Sequence, residues 1–427
     1  MSYTNMNSEE YLTLNVDGRE YYFFTDDFEI IEKTDEKFDI GKFDHVSNSL
    51  GERHVEKQPC AIDVVGVNLV SGCNLGCRYC YLTASKRPIA LLTERRFLEI
   101  LSFLKEEKEK SLTMYFIGGG EPTLNFKLLK KIPILCASAG FKHINFELTT
   151  NGTNMGDEFF SFIKSWPIKL YISLDGGESA NKSRVYKNGN ASFDDIYRNL
   201  QKLRSANIDF KCKAVFQPGQ ISVLDSVKFF EEEKIKFAYD YAVASMDKNY
   251  QPEQSFLNNF SEEIGGMLSF YADKIKRGAV IYAENIVRDL RRIHYGLTTD
   301  VSCSVGIRGF TIDLDGKIYP CAMNSGNTDM SVGDIHNGVD KEKVIRDGFY
   351  ARNVDELPIC HHCWCRYLCG GGCQAVNRLI NGNPEEPYEY MCDIQRIYWK
   401  NFIGFYIGLW QAGVFANESI FNKIKPL

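Results

Sequence analysis

The sequence predicts an α/β fold: a partial (β/α)6 TIM-like barrel with a small N-terminal α+β module and a cysteine-rich C-terminal domain. Three observations predict it. From Val64 to Val243, short β-branched or aromatic runs alternate with longer stretches of helical spacing, the rhythm of parallel β/α units. Glycine-rich and polar motifs follow directly on those runs, at the face where barrel enzymes place their active sites. Eight of the 14 cysteines fall between residues 303 and 392, where regular periodicity fades.

Taken in order, residues 1–58 hold 14 Asp and Glu against 6 Lys and Arg, a charge of −8 in a chain whose net charge is −6. That asymmetry marks a separate module, and "YLTLNVDGREYYFFTDDFEII" reads as two short strands around an Asn-Val-Asp-Gly turn, with a helix to follow. The barrel is expected over 59–250, with strands at 64–70, 113–117, 143–150, 168–174, 210–216 and 236–243. Helices are expected between them, the clearest at 93–110 and 192–206. A charged helical connector spans 251–300, the cysteine-rich domain 301–393, and a helix 394–427. Lys400 and Gln411 interrupt the apolar face of that last helix, which suits a packed core helix better than a membrane segment.

Composition narrows the function classes. A chain of 427 residues buries a sizeable core and does not need disulfide staples. The N-terminus has no basic patch leading into an apolar run, and no stretch reads as a membrane span. The expected setting is the cytoplasm, where clustered thiols bind metal or act in catalysis. An acidic chain without a basic stripe is not expected to bind nucleic acid.

After the first strand comes "SGCNLGCRYCYL", with Cys73, Cys77 and Cys80 in a C-x3-C-x2-C spacing. Three thiolates on one loop suit an iron–sulfur cubane with one iron left open. Structural zinc sites instead close with four ligands, usually as two separated pairs. At these residues the chain resembles the radical S-adenosylmethionine (SAM) enzymes. "GGGEP", with Gly118, Gly119, Gly120 and Glu121 after the second strand, is similar to that family's methionine-binding turn. Asn151 in "TTNG", Ser173 and Asp175 in "SLDG", and Arg184 fall where the family contacts the nucleoside and the carboxylate. Tyr79 matches an aromatic position near adenine. The resemblance implies a 4Fe-4S cluster that binds SAM and, once reduced, cleaves it to methionine and a 5′-deoxyadenosyl radical. That radical abstracts hydrogen from unactivated C–H bonds, the cofactor carrying the hard chemistry.

Downstream, Cys303, Cys321, Cys360, Cys363, Cys369, Cys373 and Cys392 resemble the seven-cysteine SPASM extension of the same family. The resemblance implies two auxiliary 4Fe-4S clusters, three clusters in all. Cys360, Cys363, Cys369 and Cys392 would hold the outer one, and Cys303, Cys321 and Cys373 the inner. Gly309 stands where related chains with a filled inner cluster carry a further cysteine. The inner cluster therefore either presents an open iron to a substrate thiolate, a soft ligand, or borrows Cys365 or another side chain. Cys136 and Cys212 read as core residues, Cys60 as a linker thiol, and His361 and His362 as loop residues beside ligands.

Enzymes with this pair of domains mostly modify peptides or proteins. Sulfatase maturases carry an acidic residue after the second extension cysteine, where this chain has Ala322. The N-terminal module resembles leader-recognition modules that pair an edge strand with a precursor. The favoured reading is a maturase of ribosomally made peptides that forms a thioether from a cysteine sulfur to a carbon. Carbon–carbon crosslinking and epimerisation are the alternatives within this class, an anaerobic sulfatase-type maturase is a less favoured one because of Ala322, and an iron–sulfur electron carrier is the alternative outside it. The implied partners are a precursor peptide with its leader and a reductant such as flavodoxin or ferredoxin. No side chain stands out as a general base.

Overall fold

The Asp17-Gly18 turn closes a hairpin between β1 (Tyr11–Val16) and β2 (Arg19–Phe24). Both turn residues have positive φ, 49° and 77°, as a two-residue hairpin with right-handed twist requires. β3 (Ile30–Glu32) adds to β2 as a third antiparallel strand, too short to stand apart from the preceding run in the sequence. The computed structural model describes residues 11–33, 62–107, 112–217, 222–242, 255–303, 305–349 and 353–416. The helix expected after this hairpin, the boundary before Pro59 and the thiol of Cys60 lie outside the described residues.

The barrel strands form where the β-branched runs predict them. In chain order the elements are β4 (Val64–Val67), α1 (Glu94–Glu107), β5 (Leu112–Phe116), α2 (Phe126–Leu129), α3 (Ile132–Ser138) and β6 (Ile144–Thr150). They continue as α4 (Asp157–Ser165), β7 (Ile168–Ser173), α5 (Phe193–Ser205), β8 (Lys211–Phe216), α6 (Val223–Glu232) and β9 (Phe237–Tyr241). Thr93 Oγ1 accepts the Arg96 N–H (3.2 Å) and Ser222 Oγ accepts the Asp225 N–H (3.2 Å), starting α1 and α6 as N-caps. The strands β4 to β9 run parallel in sequence order. The barrel is open, since β4 and β9 do not pair with each other.

Alternation sorts the side chains of each strand. Met114, Phe116, Leu148, Leu170, Ile172, Cys212 and Phe216 are buried beneath the helices. Tyr115, Glu147, Tyr171, Lys213 and Asp240 alternate with them and face the concave side. Cys136 and Cys212 are core thiols, 2% and 0% exposed.

Beyond the barrel, α7 (Ser255–Lys276) and α8 (Glu284–His294) form the helical connector. The cysteine-rich region then departs from the irregular segment that the sequence leads one to expect. β10 (Gly309–Ile312) pairs parallel with β4, matching Phe310 to Val65 and Ile312 to Val67. β11 (Lys317–Tyr319), β12 (Gly333–Asp334) and β13 (Gly338–Val339) extend it antiparallel, giving a ten-stranded sheet. Strands of two to four residues carry no periodicity to read. The short helices α9 (Lys341–Arg346), α10 (Pro358–His361), α11 (Arg366–Cys369) and α12 (Gln374–Asn381) follow.

The last helix, α13 (Glu389–Gln411), begins before residue 394 and so carries Cys392. It packs Trp399, Phe402, Ile403 and Ile407 into the core against α7 and β1, the core helix that its interrupted apolar face predicts. Among the described residues no helix is long and apolar enough to cross a membrane.

Candidate active site

The loop after β4 carries Cys73, Cys77 and Cys80, and two neighbouring loops hold it. Gly76 N–H donates to Val185 O (2.7 Å) and Arg78 N–H to Ser183 O (3.3 Å), tying it to the segment after β7. Glu121 N–H donates to Gly72 O (3.1 Å), tying it to the turn after β5. At Gly120 a Cβ would lie 1.8 Å from Gly72 O, so only glycine lets the two backbones meet. Gly118 and Gly119 turn with φ of 99° and 68°.

The predicted SAM contacts fall together at this mouth, but several side chains there are engaged with one another. The Glu121 carboxylate accepts from Thr123 N–H (3.0 Å), Thr123 Oγ1 (2.7 Å), Thr150 Oγ1 (2.6 Å) and Asn151 N–H (2.7 Å). Burial raises its pKa and those hydrogen bonds oppose the rise. Its geometry is that of a clamp between the loops after β5 and β6. Asn151 Nδ2 in turn donates to Asn74 Oδ1 (2.8 Å) and approaches Cys73 Sγ (3.7 Å).

Asp175 is wholly buried and accepts four hydrogen bonds. They come from Tyr79 Oη (2.5 Å), Arg184 Nε and Nη2 (both 2.9 Å) and Val215 N–H (2.8 Å). A carboxylate offers about four lone-pair sites, so this one is filled by the chain itself. It holds Tyr79 against Arg184, whose guanidinium lies 5.4 Å from the Tyr79 ring centroid. Ser173 ends β7 with Lys213 of β8 as its register partner. Burial pushes the Cys73 thiol up to about 12 and the Cys77 thiol to about 11, with Arg184 pulling Cys77 back. Ionised thiols here need a cationic partner.

The C-terminal thiols gather into two further sets. Cys321, after β11, senses Cys373 and Cys303; burial is the larger influence and pushes it up to about 12. Cys373 precedes α12. The outer set, Cys360, Cys363, Cys369 and Cys392, lines one cavity together with Cys365. Burial pushes Cys369 up to about 11, while the N–H groups of Gly372 and Gly371 pull it back. Gly370, Gly371 and Gly372 all have left-handed φ, 73°, 88° and 75°, a backbone that aims donors at the sulfur and that side chains disfavour.

Among the described residues no three His, Cys, Asp or Glu side chains close on a single ion. A cubane holds its thiolates at separate corners around a body of iron and sulfide. Thiols that border a shared cavity without closing on one point, as Cys360, Cys363, Cys369 and Cys392 do, fit such a group better than a lone zinc.

Sequence reasoning missed the residues that join these sites. Tyr81 donates to Ala375 O (3.2 Å). Burial raises its pKa, as do Cys373 and Cys321 nearby, so it links the first triad to the inner set. Ala322 abuts the glycine turn, 3.0 Å from where a Gly118 Cβ would stand. On the concave face Lys213 lies 4.2 Å from the Tyr171 ring centroid. Burial lowers its pKa, against the carboxylates of Glu147, Asp240 and Glu284. Asp240 is exposed, yet the protein around it raises its pKa, against Arg288 and Lys213. It also acts on Cys373. The only sequence signal for either residue was its parity on a predicted strand.

The pattern of the Radical SAM superfamily matches residues 67–221. An uncharacterized protein of Methanocaldococcus jannaschii is 30% identical over 293 residues, covering 67% of this chain and 94% of that relative. The cysteine-type anaerobic sulfatase-maturating enzyme of Clostridium novyi is 25% identical over 330 residues, covering 71% of this chain and 85% of its own length. Two solved structures share the fold. Native anSMEcpe with bound AdoMet and Cp18Cys peptide superposes with a TM-score of 0.67 at 18% identity, covering 82% of this chain and 99% of that one. Streptococcus suis SuiB bound to precursor peptide SuiA gives 0.54 at 16% identity, covering 89% and 97%. With a triad loop clamped to a glycine turn at the mouth of an open parallel barrel, this chain belongs to the radical SAM superfamily and is a radical SAM enzyme.

Proposed function

We propose that this enzyme matures a ribosomally made peptide by joining a cysteine sulfur to a carbon of another residue. The observation that carries the reading is the inner thiol set. Cys303, Cys321 and Cys373 number three, and Cys365, the spare thiol nearby in sequence, lines the outer cavity instead. A three-thiol set beside the barrel mouth leaves a coordination position for a substrate thiolate.

When bound, reduced 4Fe-4S and SAM supply a 5′-deoxyadenosyl radical for hydrogen abstraction, and an auxiliary cluster supplies a place for the electron left when carbon bonds to sulfur. The residues of the chain hold and orient. Cys73, Cys77 and Cys80 would ligate the first cluster, the Gly118–Gly120 backbone would lie along the methionine moiety, and Arg184, fixed by Asp175, would face its carboxylate. Asp240 would take the proton of the substrate thiol. It is a different position from Ala322, where sulfatase maturases carry their acid. The β3 edge of the N-terminal sheet would pair with the leader. A peptide in anSMEcpe and a precursor in SuiB support a peptide substrate.

The test is anaerobic incubation of the reconstituted, reduced enzyme with SAM and a panel of cysteine-containing peptides. Expected are 5′-deoxyadenosine and a product two hydrogens lighter that no longer reacts with a thiol-alkylating reagent. A lighter product that still alkylates would assign carbon–carbon crosslinking instead. Loss of sulfur to an aldehyde would assign the sulfatase-maturase reaction that the Clostridium novyi relative favours. Absence of 5′-deoxyadenosine altogether would leave an electron carrier. In Asp240→Asn the ratio of crosslink to 5′-deoxyadenosine is expected to fall about a hundredfold, the usual worth of a positioned base. An unchanged ratio would remove Asp240 from that role.

A further inference from the structure

The outer cavity is bordered by five thiols, one more than a cubane takes. Cys360, Cys363, Cys365 and Cys369 fall between residues 360 and 369, on α10, α11 and the turn joining them; Cys392 alone comes from α13. Cys365 is 1% exposed, and its carbonyl accepts the N–H groups of Leu368 (3.1 Å) and Cys369 (2.8 Å). Those bonds fix it at the start of α11, on the border of the space its neighbours share. It shares its cavity with Cys363, Cys369 and Cys392, none of which belongs to the inner set. Two guanidinium groups, Arg366 of α11 and Arg396 of α13, line the same cavity. Such cations offset the charge of a thiolate-rich site.

We propose that Cys365 is a reserve ligand of the outer auxiliary cluster, so that the segment 360–369 holds the cluster through four thiolates of its own when Cys392 is withdrawn. The inference rests on the cluster reading given above. The exchange is redox-neutral. One bond from iron to the Cys392 sulfur breaks, one from iron to the Cys365 sulfur forms, and the Cys365 proton passes to the released Cys392 thiolate. The outer cluster then does not depend on how α13 sits.

The experiment uses the full chain carrying Cys73→Ala, Cys77→Ala and Cys80→Ala, reconstituted anaerobically with iron and sulfide, and reads bound iron together with the paramagnetic resonance of the reduced protein. About eight irons are expected in this parent, two four-iron clusters. Adding Cys392→Ala alone, or Cys365→Ala alone, is expected to leave the count unchanged. Adding both is expected to halve it, the surviving inner cluster showing that the domain is still folded. Should Cys392→Ala misfold, Cys392→Ser gives the same reading with a smaller change of shape. Halving by Cys392→Ala or by Cys365→Ala alone overturns the proposal, because neither thiol then covers for the other. So does a double variant that keeps its full count. A parent without C-terminal iron overturns the cluster reading as well, and is thereby distinguished from failure of the reserve ligand.

Discussion

Replacing Cys73, Cys77 and Cys80 together with alanine is expected to abolish 5′-deoxyadenosine formation while sparing the C-terminal iron. Reconstituted wild-type protein should hold about twelve irons and the triple variant about eight. The reason is topological as well as chemical. The triad lies on a loop fastened by Gly76, Arg78 and Gly72 to its neighbours, whereas the C-terminal thiols come from separate segments between residues 303 and 392. Losing the first set therefore leaves the rest of the scaffold standing. A triple variant that still makes 5′-deoxyadenosine would falsify the assignment of that triad. A wild-type count of about four irons falling to none would mean that the C-terminal thiols bind something else, and the thioether reading would lose its electron acceptor.

The second large effect is expected at Asp175. Replacing it with alanine leaves Arg184, 6% exposed, without its carboxylate, and strips the acceptor from Tyr79 Oη and Val215 N–H. Breaking a buried pair from one side costs about 3–5 kcal/mol. Tyr79→Phe removes one hydrogen bond to a charged group and should cost about 1.5–3 kcal/mol. Denaturant unfolding of the two variants beside wild type measures both. Equal midpoints for Asp175→Ala and wild type would mean that the pair carries no stability, and that Asp175 is free for a ligand after all. The distinction matters because resemblance alone assigns this carboxylate to the nucleoside, whereas its filled coordination points to a role through Arg184 and Tyr79.

The barrel was legible because its strands are long enough to alternate and its helices long enough to show a period. Each of the six runs from Val64 to Tyr241 became a strand within a few residues of the expected bounds. The cysteine clusters were legible from spacing and their partition from the family resemblance; the structure brings Cys360, Cys363, Cys369 and Cys392 to one cavity with Cys365. Three things were hidden for physical reasons. β10 to β13 are too short for any pattern. Lys213 and Asp240 look like the solvent face of a strand until the barrel curls that face inward. Cys365 sits in a tight turn, and whether it belongs to the inner or the outer set depends on how α10 and α11 fold, which no spacing encodes.

The parallel pairing of β10 with β4 has a consequence for any attempt to divide this protein. A fragment ending near residue 300 would keep every barrel strand but expose the N–H and C=O groups of Val64 to Val67 along a bare edge. Val65 and Val67 are fully buried in the whole chain, and an apolar strand stripped of its neighbour is a template for pairing with other chains. The cysteine-rich region thus acts as the selvedge of the sheet, and a shortened enzyme is expected to aggregate before it can be assayed. Strand and thiol come as one piece: the backbone that covers the β4 edge leads through β11 directly to Cys321.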